Sequence, residues 1–270
     1  MIQWWSIIWR IAVLGMISAA AYAQDSTTSE ESISVSVSVS VSAQEIVEKS
    51  IEHWRGLSSY SEMTMTISRP DWQRSVSMKG WTQGNEQTLI RITAPKKDVG
   101  NGTLLRGNAM WSYAPKINRV IKIPSSMMGQ SWMGSDFSNN DVARSDDIID
   151  EYTHRLLDVE QQSEHQVYRI ESIPLEDSSV VWGREVLHIR DDYVLLQHQF
   201  YDQDDVLVKQ LNTLKVTVMD GRSVAQQQRM EKLEATDEWT EILIHKADFD
   251  VTISPHQFTL SNLRNPRDGQ

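Results

Sequence analysis

Two hydrophobic periods divide this chain. Between 43 and 58, Val47, Ile51 and Trp54 recur at i, i+4 and i+7, with Glu45, Glu48, Lys49 and Glu52 left for a wet side, which predicts an amphipathic helix. Ser42-Ala-Gln-Glu45 stands at its start with the spacing of a capping box, in which the hydroxyl and the carboxylate each satisfy an amide that the first turn leaves free. Beyond Tyr60 the period drops to two. Met63, Met65 and Ile67 alternate with Thr64 and Thr66, and the same alternation returns in Val76/Met78, Trp111/Tyr113, Ile121/Ile123, Tyr168/Ile170, Val186/His188 and Val216/Val218. Turn residues interrupt it at 83–85, 97–102, 106–108, 191–192, 202–205, 220–221 and 237–238. Spacings near ten residues and the lack of βαβ alternation predict a meander of about ten strands, an antiparallel sheet curled around one helix.

One stretch breaks the meander. Residues 125–149 read SSMMGQSWMGSDFSNNDVARSDDII and carry Met127, Met128, Trp132, Met133 and Phe137 without either period, with Gly129 and Gly134 to keep them pliable. A connection of this length is usually a lid or a binding loop, and unbranched, polarisable methionines suit a surface that must fit variable apolar shapes. The alternative is a plug that fills one end of the sheet. Arg106, Arg119, Asp136, Asp141 and Arg144 flank this stretch. A pair between Arg119 and Asp136 is expected as a latch, against the alternative of a solvated rim.

The N-terminus has a different character. Arg10 precedes an apolar run that ends in Ala21-Tyr22-Ala23, an export-signal pattern that predicts cleavage after Ala23. The apolar run from 11 to 23 is shorter than the roughly 20 residues that span a bilayer, although an uncleaved anchor is the alternative. Residues 24–42 are low in complexity and read as a tether, with an edge strand as the alternative for the alternating Ser-Val run at 34–42. The organisation expected is therefore a signal peptide at 1–23, a tether at 24–42 and one domain at 43–270.

Composition narrows the chemistry. The 270 residues are 40% hydrophobic and 23% charged, enough apolar material for a core. A net charge of −11 opposes sequence-independent nucleic-acid binding, which needs a cationic surface. The absence of cysteine removes thiolate nucleophiles, Fe–S clusters, Cys-ligated zinc and lipid attachment at a cysteine. No serine-hydrolase elbow, metalloprotease helix, phosphate loop or dinucleotide fingerprint is present, and the seven histidines lack i, i+4 metal spacing. His188 and His198 could face one another across the Asp191-Asp192 turn, and Asp146-Asp147 and Asp202/Asp204/Asp205 could suggest calcium, but solvated turns suit those aspartates better. The chain is expected not to be an enzyme and to use no cofactor or metal.

Trp111-Ser-Tyr113-Ala-Pro115, Arg119-Val-Ile-Lys-Ile-Pro124 and Met133-Gly-Ser-Asp-Phe137 together resemble the signature of the LolA-like outer-membrane lipoprotein-sorting proteins. The run beginning Asp150-Glu-Tyr152, Val181-Trp-Gly183 and the closing Phe258-Thr-Leu-Ser-Asn-Leu263 extend the likeness, which covers about 44–264. The resemblance implies a mainly β fold, an incomplete antiparallel barrel (half-barrel) of about eleven strands with an N-terminal helix and a lid loop. It also implies a periplasmic carrier, expected to be monomeric. Its cargo would be acylated lipoprotein or lipid, loaded by an inner-membrane ABC or RND-type transporter and passed to an outer-membrane acceptor. A lipid sensor that regulates a membrane partner, or an accessory to an RND-type lipid transporter, is the alternative. Such a carrier must hide an acyl chain whose ~15 methylenes would cost roughly 12 kcal/mol to expose. The residues expected to do so are Met63, Met65, Ile67 and Met78 on early strands, Trp111, Tyr113, Ile121 and Ile123 on later ones, and Met127, Met128, Trp132, Met133 and Phe137 on the cover. An ordinary closed core is the alternative for the strand residues.

Overall fold

The computed structural model describes residues 41–143, 146–235 and 237–266. The export signal with its cleavage after Ala23, the tether up to residue 40, and Arg144 lie outside the described residues.

Helix α1 (Ala43–Arg55) starts as its sequence dictates, with the Ser42 hydroxyl accepting from the Glu45 amide at 3.1 Å. The Glu45 carboxylate does not complete the box and instead takes Lys49 Nζ at 2.5 Å, one turn on. The helix ends at Arg55 rather than 58, because Gly56 takes a left-handed φ of 63° and Ser58 already belongs to the first strand. Ile46, Val47, Ser50, Ile51 and Arg55 form its buried face, while Trp54, expected on that face, is 47% exposed.

Among the described residues thirteen strands, rather than about eleven, form one open antiparallel sheet that does not close into a barrel. β1 (Ser58–Arg69), β2 (Trp72–Gln83), β3 (Gln87–Ala94), β4 (Gly102–Arg106), β5 (Ala109–Ala114) and β6 (Arg119–Lys122) form a first meander. β7 (Tyr152–Gln162), β8 (His165–Pro174), β9 (Arg184–Arg190), β10 (Leu195–Tyr201), β11 (Leu207–Met219), β12 (Arg222–Lys232) and β13 (Trp239–Phe249) form a second. The two join where β1 pairs β13, from Ser59 opposite Phe249 to Ser68 opposite Trp239, with a bulge at Glu62/Met63. β6 and β7 therefore lie at opposite edges of the sheet, and the 123–151 connection runs from one to the other.

That connection is built rather than loose. It contains 3₁₀ turns at Ser125–Met127 and Trp132–Gly134, helix α2 (Asn139–Ala143) and helix α3 (Asp147–Asp150). It folds back on itself, with Trp132 N donating to Phe137 O at 2.7 Å, Asn139 N to Gln130 O at 2.9 Å and Asn140 N to Met128 O at 2.8 Å. Backbone groups crossing a sheet face away from water need such partners.

The first meander is covered on its inner face and, over β3–β5, on its outer face as well. On its inner face Met65, Ile67, Val76, Met78, Ile92, Leu105 and Met110 pack with Met128 and Trp132 of the connection. On its outer face Leu89, Leu104 and Tyr113 pack with Phe258 and Leu263, from the C-terminal 3₁₀ turn and helix α4 (Leu260–Arg264). Gly102 permits this approach, since a Cβ there would sit 2.8 Å from Leu263 Cδ1.

Candidate functional site

Strand alternation decides which residues reach the inner face. Ile90 on β3 and Glu185 on β9 both border one cavity, although seven strand spacings of about 4.8 Å would separate them by ~34 Å on a flat sheet. The sheet is therefore curled, and α1, α2 and α3 close over the hollow. The cavity measures about 420 Å³, within the range of roughly 300–1,000 Å³ usual for small-molecule sites. Its wall is mostly apolar, built by Val47, Ile51 and Trp54 of α1, Ile148 and Tyr152 beside the lid, and Leu187, Phe200, Met230 and Ile242 of the second meander.

The lid does two things at once. Over part of β1–β5 Met128 and Trp132 pack into the core, each burial contributing about 1.5–3 kcal/mol, and Trp132 Nε1 donates to Thr103 Oγ1 at 3.2 Å. Beside that core the hollow is bordered by both meanders, by Met63, Gly80 and Ile90 of the first and Leu187, Phe200 and Met230 of the second. Of the residues expected to bind ligand, Met63, Met78, Trp132 and Phe137 line the cavity. Met65, Ile67 and Met128 are buried in the adjoining core, and Ile123 packs against it half-buried. Met133 also touches that core and borders a separate cleft of about 160 Å³ with Arg74 and Asn101.

Four expected residues lie elsewhere. Trp111 pairs with Leu104 and Tyr113 with Gly102, which puts both on the outer face under Phe258 and Leu263, while their neighbour Met110 points inward. Ile121, on the edge strand, is 49% exposed, and Met127 is 38% exposed. The expected latch is also corrected, since Arg119 is exposed and Asp136 is held by Arg69. Arg69 Nη1 and Nη2 donate to the two Asp136 carboxylate oxygens at 3.1 and 3.0 Å, and Thr240 Oγ1 donates to Asp136 Oδ2 at 2.7 Å.

The polar groups that border the cavity were hidden by their apolar neighbours. Glu185 shares an inward parity with Leu187 and Ile189, and His198 with Phe200; a charge on an apolar stripe was the available signal. The buried Glu185 carboxylate accepts from the Tyr152 hydroxyl and pairs with His198 Nε2, whose ring stacks on Phe200 at 4.1 Å between centroids. Burial foremost, and then Glu185, raise the Tyr152 hydroxyl far above the ordinary tyrosine range, so it stays a donor. Asp141 on α2 accepts from Lys209 Nζ at 2.6 Å, with both side chains almost fully buried. Arg55 donates to Gly84 O from Nε at 3.1 Å and Nη2 at 2.8 Å, and burial lowers its pKa.

These groups are mutually satisfied and present no nucleophile beside a free base. His188 pairs with Gln197 and His198 with Leu187 across β9 and β10, so the two imidazoles take opposite faces and cannot share a metal. Among the described residues, His165, Asp191 and Asp192 come within metal-binding reach of one another. His165 Nδ1 already meets Asp191 Oδ1 at 2.6 Å, however, and Arg190 holds Asp192 at 2.5 Å. The Asp202 carboxylate caps its own turn, accepting from Asp204 N and Val206 N.

Comparison with known proteins agrees with this architecture. A family model described as that of an uncharacterized protein matches residues 84–265. No curated protein matches the chain. A DUF1329 family protein from Desulfovibrio piger is 28% identical, with a TM-score of 0.74 over 82% of this chain and 97% of that one. A putative outer membrane lipoprotein-sorting protein domain from Vibrio parahaemolyticus (21% identity, TM-score 0.72) and a LolA superfamily protein from Nitrosomonas europaea (21%, 0.67) share the fold, each over 82% of this chain and 98% of their own. The family model's span of 84–265 places this chain in that family of uncharacterized proteins, with a fold like those of the lipoprotein-sorting domain and the LolA superfamily protein.

Proposed function

We propose that the protein is a periplasmic carrier that takes acylated cargo, a lipoprotein or a lipid, into the cavity between α1, the lid and the inner face of the curled sheet. It would shuttle that cargo from the inner to the outer membrane. The observation that carries this reading is the hollow itself: about 420 Å³ with a mostly apolar wall, left open beside a core that the lid's Met128 and Trp132 help to fill. Covering an acyl chain offsets about 0.8 kcal/mol per methylene, which makes such a hollow a competitor for a membrane. Loading by an inner-membrane ABC or RND-type transporter and delivery to an outer-membrane acceptor complete the reading, because the chain carries no phosphate loop to drive transfer itself. In this organisation 1–23 is the removed export signal, 24–42 the tether and 43–270 the carrier domain.

The test is lipid extraction and mass spectrometry of the protein purified from cells, followed by titration of the delipidated chain with a fluorescent acyl probe. Co-purifying acyl chains and a blue-shifted, saturable probe signal are expected. Delipidated protein that leaves the probe in water would end the carrier reading.

A further inference from the structure

Lys209 is an unusual cation just behind the cavity wall. It follows Leu207 at the two-residue spacing that carries Leu211 into the cavity wall, and it stands directly opposite Phe200 on β10. Its side chain is 6% exposed, and its ammonium lies 4.7 Å from the Phe200 ring centroid and 5.0 Å from that of Trp182. Among the described residues Asp141 supplies its one carboxylate, at 2.6 Å. Asp141, Trp182 and Phe200 all border the cavity, so Lys209 is a cation one layer behind the wall, screened from the hollow by a lid carboxylate.

A desolvated ammonium tolerates an anion exchange far better than the loss of its anion. Aromatic faces lower the cost of holding it but do not replace a carboxylate. Asp141 has somewhere to go, because its carboxylate also caps its own helix, accepting from the Ser138 amide at 2.7 Å. The lid can therefore leave Lys209 when another anion takes its place.

We infer that the cavity selects acyl chains bearing an anionic head, a carboxylate or a phosphate monoester, which replaces Asp141 on Lys209 and so couples cargo entry to release of α2. This inference rests on the carrier reading above and adds the class of head that the cargo carries.

Competition titrations on the delipidated full chain test it with two matched pairs: palmitate against 1-hexadecanol, and 1-palmitoyl lysophosphatidate against 1-palmitoylglycerol. At least one anionic member is expected to bind about tenfold more tightly than its neutral match, and the pair that shows the preference identifies a fatty-acid or a phosphate head. Lys209→Met is expected to reduce that preference to about twofold or less while neutral probes bind as before. Asp141→Asn, which removes the competing anion, is expected to tighten the anionic probe by about threefold or more. Equal binding of both members in both pairs, or a preference that survives Lys209→Met, overturns the inference and leaves the carrier standing. Failure of all four probes to bind overturns both.

Discussion

Arg69, the last residue of β1, forks both terminal nitrogens onto the carboxylate of Asp136, 67 residues further along the chain. The Asp136 side chain is fully buried, its second hydrogen-bond partner is Thr240 of β13, and Arg69 Nε also reaches Glu238 at 3.2 Å. The lid is thus pinned at the seam where the two meanders join.

Removing Arg69 leaves the buried Asp136 carboxylate with only Lys232, 4.0 Å away, as a counter-charge. Arg69→Ala is expected to cost about 3–5 kcal/mol in urea unfolding and to speed amide exchange across 125–143. Arg119→Ala, at an exposed position, is expected to stay within about 0.5 kcal/mol of the parent. Comparable losses for the two variants would show that the lid is not pinned at Arg69.

The cavity floor offers a way to fill the hollow. A Cβ at Gly80 would lie 2.9 Å from Ser61 Oγ and 3.5 Å from Met63 Cε, both in the wall. Gly80→Leu is expected to weaken acyl-probe binding by about tenfold or more, at an overpacking cost of about 1–3 kcal/mol in thermal unfolding. Gly84→Ala is the control: φ is 54° there and nothing lies within 4 Å, so stability falls by about 1 kcal/mol while binding holds. Unchanged binding in Gly80→Leu would move the ligand elsewhere.

Packing on the outer face should separate from binding. Phe258→Ala is expected to cost about 3–5 kcal/mol, because Phe258 is buried against Leu89, Leu104 and Tyr113, and to leave probe affinity alone. Loss of affinity without loss of stability would contradict the assignment of that cluster to structure.

Acid should loosen β7–β9, His154 acting from the face beneath α1 and His188 from the opposite face. Burial foremost lowers the pKa of His154 below its ordinary 6.5, and its Nδ1 is engaged with Ser172 Oγ at 2.8 Å. His188 is lowered too, by burial first and then by Arg169. A histidine whose folded pKa is depressed contributes stability in full above pH 6.5, and that stability is lost as pH falls below it, because the unfolded chain takes up the proton first. Urea midpoints should drop between pH 7.5 and 5, with a slope of at most about 1.4 kcal/mol per pH unit from each histidine. His154→Gln should flatten that slope; an unaltered slope would remove His154 from the account.

Period two from Tyr60 onward and period 3.6 before it made the helix, the sheet and the single long connection legible. The strand total fell short in part because β4 has only five residues and sits between turn-forming residues, although β6, with four, was marked by Ile121/Ile123. Alternation shows that Trp111 and Met110 take opposite faces but not which face is inner, and here both are covered by apolar partners. The Arg69–Asp136 and Lys209–Asp141 pairs join residues far apart in the chain, so no local period exposes them. Glu185, His198 and Lys209 stood among apolar neighbours, where a charge was itself the signal.

Strand order has a mechanical consequence. A chain that must travel from β6 at one margin to β7 at the other is secured at both ends, like a strap across a trough, with a further tack at Asp136. It cannot swing clear as a hinged door would. It can only bow, so on the carrier reading proposed above cargo would thread in lengthwise beneath it, and a passenger longer than the trough would leave its far end trailing outside.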